Sequence, residues 1–151
     1  MTKNSHKLDN PVWYSLSETH KDVAINYHNI KFYQPAYCPF GGFSDSNNVA
    51  LQVDEYSKLT NQFFVVGEKP LLSEKIFLRK ELVCLQMILE KRIETNIAGE
   101  IIELDDNATD ALSNLVNDVQ PGYFKAKTIL LGNYFGIIKD DKLVAVTVED
   151  G

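Results

Sequence analysis

The segment IIELDDNATDALSNLVNDVQPG, residues 101–122, carries the clearest structural signal in the 151-residue chain. Its first four residues suit a strand, and the polar run 105–107 contains residue types that cap helices. The residues after it place apolar side chains at helical spacing until Pro121-Gly122, which stops the helix. The segment therefore predicts a strand followed by an amphipathic helix.

The next segment predicts a β-hairpin. Two apolar runs, 128–138 and 143–148, flank the charged turn Lys139-Asp140-Asp141-Lys142, and apolar strands around a short polar turn are typical of hairpins. Residues 100–151 are therefore expected to form one unit of strand, helix and hairpin. Together with the mixed elements predicted upstream, this indicates the α+β (mixed α/β) fold class.

The residues before this unit are predicted to form a second α+β region. Asn10-Pro11 fits the start of a short helix, and the aromatic and β-branched residues 24–33 favour an extended segment. The prolines and glycines of residues 34–42 are expected to break any regular element that follows. A helix over residues 46–59 and a short strand over residues 63–67 come next.

Residues 81–89, ELVCLQMIL, are apolar enough for a central strand or a buried helix. Periodicity does not separate the two. The polar stretch 90–100 behind them is the best internal boundary. We therefore expect an amino-terminal α+β region of residues 1–99 and a second region of residues 100–151.

Composition excludes several classes of function. The chain holds 15 Lys and Arg against 21 Asp and Glu, a net charge of -6 without a basic cluster, so its field repels nucleic acid. No apolar stretch approaches the roughly 20 residues of a membrane span, and the amino end has no apolar signal core. We expect a cytoplasmic protein that binds neither nucleic acid nor membranes.

Metal-binding and common catalytic motifs are missing from the sequence. Cys38 and Cys84 lie far apart, and His6, His20 and His28 share no metal-ligand spacing. Glycine-rich nucleotide-binding loops, the Gly-x-Ser-x-Gly elbow and the His-Glu-x-x-His motif are absent as well. We predict no metal site and two buried, reduced thiols. His6 fits a frayed end and His20 fits capping or packing, and chemistry is the less favoured role for all three histidines.

Two groups of residues remain candidates for a site. The aromatic side chains of residues 32–43 fit a packed core better than a pocket, because each buries a large apolar area. Glu149, near the end of the last strand, has the chemistry of a general base that accepts a proton from an amine. A solvated strand end explains the same residue, and the sequence favours that explanation.

Short motifs follow one another along almost the whole chain. The most specific are Pro121-Gly122-x-Phe124 and Thr128-x-x-Leu131-Gly132-x-Tyr134-x-Gly136-Ile137. The others are Asn10-Pro11-Val12-Trp13, Pro39-Phe40, Phe64-x-Val66-Gly67-x-x-Pro70, Gln86-Met87 and Leu143-Val144-Ala145. In order and spacing they resemble a branch of the GNAT-type N-acetyltransferases that has a divergent amino-terminal region.

The resemblance implies transfer of an acetyl group from acetyl-CoA to an amine, and it favours a strand over residues 81–89. In that family a further strand and an Arg/Gln-x-x-Gly-x-Gly/Ala turn hold the acetyl-CoA diphosphate on backbone N–H groups at a helix start. The chain ends before both, and residues 148–151 depart from the family's Gly-Glu-Arg pattern. We therefore expect a truncated acetyltransferase half that is inactive and binds acetyl-CoA weakly by itself.

Phe124 and Tyr134 are candidates for the substrate cleft, and Glu149 is a weak candidate for the catalytic base. No residue is assigned to the cofactor or to a metal. An incomplete sheet would leave the apolar edge Val144 to Val148 exposed, and such edges pair with other chains. We expect a homodimer or strand exchange through this edge.

Two other functions fit the same sequence. The first is a non-catalytic binding or regulatory module derived from the acetyltransferase fold. The second is an unrelated α+β ligand-binding domain with an aromatic pocket of Tyr37, Phe40, Phe124 and Tyr134, which suits a small apolar ligand.

Overall fold

The structure of the chain is a computed structural model that describes residues 5–88, residue 91 and residues 100–149. The chain divides into two compact units. The first consists of Met1–Pro35 and Pro39–Glu90, and the second of Ala36–Cys38 and Lys91–Gly151. Among the described residues, no helix is long and apolar enough to cross a membrane.

The first unit is a four-stranded sheet with two helices. The elements are α1 (Pro11–Ser17), β1 (Ala24–Tyr27), β2 (Ile30–Tyr33), β3 (Phe40–Phe43), α2 (Val49–Tyr56) and β4 (Phe64–Val66). The strands lie in the order β1-β2-β3-β4, and all neighbours are antiparallel except β3 and β4, which are parallel. The predicted extended segment 24–33 is thus two strands joined by a tight turn, in which His28 has a positive φ of 40°.

The core of the first unit is built by α2 against the sheet. The predicted helical face of Val49, Val53 and Tyr56 is confirmed, because all three side chains are buried. The Tyr56 ring stacks on Phe32 with ring centroids 3.9 Å apart, and its hydroxyl donates a hydrogen bond to the Tyr33 carbonyl oxygen at 2.9 Å. The aromatic residues at 32, 33 and 43 are core residues, as the sequence favoured.

The prediction that Gly41 and Gly42 break regular structure is wrong, because both lie inside strand β3. A Cβ on Gly41 would overlap the Phe32 ring, and one on Gly42 would lie 2.7 Å from the Trp13 backbone nitrogen. The glycines therefore allow a ring and a helix to approach the strand closely. Asn10 fixes the same helix start, because its amide Nδ2 donates to the Phe43 carbonyl oxygen at 2.7 Å.

We predict that Gly42→Ala destabilises the first unit by about 2 kcal/mol or more, because the clash is with backbone atoms that cannot rotate away. The single tryptophan, Trp13, lies at the point of contact, so its fluorescence during urea unfolding reports this unit. An unchanged unfolding midpoint in the variant would contradict the close approach of α1 and β3.

Tyr27 on β1 gives the first unit an alkaline pH dependence. Burial raises the pKa of its phenol above the ordinary value of 10.0, the Glu55 carboxylate raises this pKa further, and Lys58 opposes both. A raised pKa in the folded state means that folding favours the neutral phenol. The stability that this provides is complete below the unfolded pKa of about 10 and is lost as the pH rises through the folded pKa.

We predict that Tyr27→Phe loses less stability than the unsubstituted protein between about pH 9 and pH 11, because phenylalanine has no proton to release. Urea unfolding followed by Trp13 fluorescence at each pH makes this comparison. Parallel curves for the two proteins across this range would show that Tyr27 does not contribute.

The second unit is a three-stranded antiparallel sheet in the order β5-β6-β7, with α3 packed on it. Its elements are β5 (Ile101–Leu104), α3 (Thr109–Val119), β6 (Asn133–Lys139) and β7 (Lys142–Glu149). The predicted hairpin is confirmed, and Asp140 and Asp141 form its turn with positive φ values of 52° and 58°. Such paired positive φ values suit the twist of a two-residue hairpin loop.

The predicted start of α3 is also confirmed. A 3-10 turn at Asp106–Ala108 leads into the helix, and Asp105 caps it, with one carboxylate oxygen accepting a hydrogen bond from the Asn107 backbone nitrogen at 3.0 Å. Inside the unit, four side chains are buried together between the helix and the sheet: Leu104, Leu112, Phe124 and Tyr134.

The predicted strand over residues 81–89 is wrong for residues 81–88, which form neither strand nor helix, and residue 89 lies outside the described residues. All eight residues are exposed. A strand exists only when a neighbouring strand accepts and donates its backbone hydrogen bonds. The described part of the chain places no strand beside this segment, so its apolar character is not matched by burial.

Candidate functional site

Phe124 and Tyr134, the predicted cleft residues, lie in the core of the second unit. Their relative solvent exposures are 9% and 8%. Their rings meet edge to face, with centroids 6.2 Å apart. The Tyr134 hydroxyl donates a hydrogen bond to the Thr128 carbonyl oxygen at 3.1 Å. Both residues hold the sheet to the connection that follows α3, and their role at a cleft stays a prediction.

Glu149 is the last described residue of β7 and its side chain is exposed. It is the register partner of Asn133 on β6. A Cβ on the neighbouring Gly132 would lie 2.6 Å from the Glu149 carbonyl oxygen, so the backbone of this strand end is closely packed while the carboxylate faces solvent. Its use as a general base stays a prediction.

The short segment Ala36–Cys38 belongs to the second unit although the sequence around it belongs to the first. The Lys127 backbone nitrogen donates to the Ala36 carbonyl oxygen at 3.0 Å, and the Thr128 hydroxyl donates to the Tyr37 carbonyl oxygen at 2.5 Å. The Lys127 ammonium lies 5.3 Å from the centroid of the Tyr37 ring. Tyr37 therefore has a supporting role beside the 3-10 turn Thr128–Leu131.

The proposed aromatic pocket is divided between the units. Tyr37, Phe124 and Tyr134 belong to the second unit, and Phe40 belongs to the first. Within the second unit, two of its three members are core residues. In the second unit, Phe124 and Tyr134 therefore fill a core and do not line an open pocket for the predicted apolar ligand.

A cluster of Ser15, His20 and Tyr33 brings three chemically active groups together in the first unit. The His20 Nδ1 atom lies 2.9 Å from the Ser15 hydroxyl and 2.8 Å from the Tyr33 hydroxyl, and the two hydroxyls are 2.9 Å apart. The sequence indicated neither the meeting of these residues nor a role for Ser15. The five-residue spacing of Ser15 and His20 at a helix end was the available signal, but Tyr33 comes from a different element.

A serine beside a histidine resembles a nucleophile with its base, but this arrangement favours a structural role. Both hydroxyls share one ring nitrogen, and Tyr33 is buried. The triangle joins the end of α1 to the end of β2 through polar groups that satisfy one another. His20 therefore packs and hydrogen-bonds, as the sequence favoured.

We predict that Ser15→Ala and Tyr33→Phe each destabilise the first unit by about 1 kcal/mol, because each removes hydrogen bonds from a partly buried network. Their combination should cost less than the sum of the two, since the hydroxyls share partners. Urea unfolding of the two single variants and the double variant measures this coupling. Strict additivity would show that the three groups do not act as one network.

A shallow cleft of about 490 Å³ lies beside α2 in the first unit. Its walls are Leu51, Gln52, Asp54, Glu55, Ser57, Lys58 and Lys75. Asp54 is buried, accepts a hydrogen bond from the Ser73 hydroxyl at 2.5 Å, and lies 3.8 Å from the Lys75 ammonium. The carboxylate is thus already occupied by its own chain, and the cleft contains none of the predicted site residues.

The start of α3 is acidic and does not suit a bound anion. Asp105 accepts a hydrogen bond from the Asn107 backbone nitrogen in the 3-10 turn that leads into α3, and Asp110 lies in the first turn of α3. These carboxylates repel phosphate. Helix α2 has no acidic residue in its first turn. The Gly122 backbone nitrogen is taken by the Asn117 side chain at 3.2 Å.

No group of three metal-binding side chains occurs within the described ranges 5–88 and 100–149. Cys38 is half-buried and Cys84 is exposed, and neither forms a disulfide. Both cysteines are free thiols, as predicted, but the predicted burial is wrong for Cys84.

No protein-family model and no curated protein matches the chain. Among solved structures, the chain is similar to a crystal structure assigned as an acetyltransferase of the GNAT family from Novosphingobium aromaticivorans DSM 12444. The similarity covers 94% of this chain and 63% of that protein, with a TM-score of 0.67 and 20% sequence identity. The chain therefore has a GNAT-type acetyltransferase fold, and it spans less than two thirds of the length of that relative.

Proposed function

We propose that this chain is the amino-terminal portion of an N-acetyltransferase that transfers an acetyl group from acetyl-CoA to an amine. The observation that supports it is the second unit, in which strand, helix and hairpin follow one another as they do in the GNAT-type fold. The similar Novosphingobium aromaticivorans protein is assigned as an acetyltransferase of the GNAT family. We also propose that the protein is located in the cytoplasm.

The diphosphate of acetyl-CoA is the group that this chain fits least. Its sequence contains no Arg/Gln-x-x-Gly-x-Gly/Ala turn, and the start of α3 is acidic. A polyanion without a basic cage must be held by oriented N–H donors. We therefore infer that the chain binds acetyl-CoA weakly by itself and is inactive without a further segment that supplies those donors.

A chimera tests the activity. It joins this chain to the part of the Novosphingobium aromaticivorans protein that the chain does not cover. We expect the chimera to bind acetyl-CoA in calorimetry and to release the coenzyme A thiol in the presence of a panel of amines. The chain alone and the added part alone are the controls, and both should fail to saturate at micromolar acetyl-CoA.

Two outcomes would contradict the proposal. Saturation of the chain alone by micromolar acetyl-CoA would show that the diphosphate is held by residues that we have not identified. A chimera that has the circular dichroism of a folded α+β protein, yet neither binds acetyl-CoA nor releases thiol, would contradict the acetyltransferase assignment.

The second candidate is a binding or regulatory module that keeps this fold without acetyl transfer. The acidic start of α3 favours it, because carboxylates at that position repel phosphate. The same chimera separates the two candidates, since a module gains no affinity for acetyl-CoA when the further segment is supplied.

A further inference from the structure

We propose that the cleft beside α2 is a binding site for a primary ammonium group, the protonated end of a primary alkylamine, with Asp54 and Gln52 as its hydrogen-bond acceptors. The inference goes beyond the proposed acetyl transfer and does not depend on it. It rests on two side-chain oxygen atoms of the cleft wall that have no hydrogen-bond donor among the described residues.

Asp54 supplies the first acceptor. The residue lies on α2 and is only 9% exposed. One carboxylate oxygen, Oδ1, accepts a hydrogen bond from the Ser73 hydroxyl at 2.5 Å. The other, Oδ2, lies 3.8 Å from the Lys75 ammonium, which is too long for a hydrogen bond, and no described group donates to it. Because a carboxylate shielded from water needs donors or cations to compensate its charge, Oδ2 can accept from a ligand.

Gln52 supplies the second acceptor. It lies two residues before Asp54 on α2 and lines the same cleft. Its amide oxygen Oε1 is buried and has no hydrogen-bond partner among the described residues, whereas buried polar atoms of folded proteins are nearly always hydrogen-bonded. A primary ammonium carries three N–H donors and one positive charge. It therefore offers enough donors for both oxygens.

The charges around the cleft favour a cation at Asp54. Glu55 is already paired with Lys58, whose ammonium donates to its two carboxylate oxygens at 2.7 and 2.6 Å, so these two charges neutralise each other. Lys75 is the chain's own ammonium beside Asp54, but its side chain is 80% exposed, and such an exposed pair is weak. A ligand ammonium that donates directly to Oδ2 would displace Lys75 at little cost.

The size and the apolar wall of the cleft fit an alkyl chain behind the ammonium. Its volume of about 490 Å³ lies within the roughly 300–1,000 Å³ of small-molecule sites. Leu51 lines the cleft and is 67% exposed, and the methylene groups of Lys58 can cover apolar ligand atoms while its charge stays in water. The net charge of -6 also attracts cations to the protein. The expected ligand class is a short primary alkylamine.

A nuclear magnetic resonance titration of the ¹⁵N-labelled full chain with n-butylammonium tests the site. We expect saturable amide shifts confined to residues 51–58 and 73–75, in the millimolar range that suits so small a ligand. n-Butyltrimethylammonium has the same charge and alkyl chain but no N–H donor, and 1-butanol has the alkyl chain without the charge. Both should bind about tenfold more weakly or less.

Three outcomes of this titration would overturn the proposal. The first is the absence of saturable shifts at residues 51–58 and 73–75. The second is equal binding of n-butylammonium and n-butyltrimethylammonium, since the N–H donors would then play no part. The third is equal binding of 1-butanol, which would show apolar contact only.

Substitutions test the two charged groups in opposite directions. Asp54→Asn keeps the size of the side chain and an acceptor for Ser73 but removes the charge, so n-butylammonium should bind about tenfold more weakly or less. Lys75→Met removes the competing ammonium from an exposed position, so the variant should fold and bind about threefold more tightly. Lys80→Met makes the same change of charge outside the cleft and is the matched control.

Unchanged binding in Asp54→Asn would overturn the proposal, and so would equal affinities of Lys75→Met and Lys80→Met. The comparison of the two lysine variants stands independently of any effect of Asp54→Asn on folding. The chimera tests acetyl transfer separately, so either proposal can fail alone.

Discussion

The packing of α3 against the sheet β5-β6-β7 is the constraint on which the second unit depends. Leu112 is completely buried between the helix and the strands, where it meets the cluster of Leu104, Phe124 and Tyr134. Truncating one such side chain typically costs about 2–5 kcal/mol, which is a large part of the stability of a small domain. This contact fixes which face of the sheet the helix covers.

The sequence predicted the second unit well because each of its elements has a local cause. Asp105 caps the helix start, Pro121-Gly122 follows its end, and Asp140 and Asp141 adopt the positive φ values of the hairpin turn. The strand predicted at residues 81–89 failed for the opposite reason. Burial stabilises an apolar segment, but the segment forms a strand only when a neighbouring strand hydrogen-bonds to its backbone.

Long-range contacts also explain what the sequence could not predict about candidate sites. From the sequence alone, Gly41 and Gly42 resemble residues that break a strand. In the folded chain they lie within a strand, because Phe32 and Trp13 pack too close to it for a side chain. Ser15, His20 and Tyr33 come from separate elements and meet only in the folded first unit. Phe124 and Tyr134 are predicted cleft residues, and in the structure they pack in the core of the second unit. The GNAT-type fold is thus better supported than any single catalytic residue.

Hydrogen exchange of backbone amides in the full chain tests the packing of α3 on β5-β6-β7 most directly. Strand β6 has a strand on each side in the described sheet, so we expect its amides to exchange most slowly in the second unit. We expect Leu112→Ala to speed exchange in α3 and β6 together, because Leu112 is completely buried in the core that they share. Unchanged exchange in both elements after this substitution would contradict this packing.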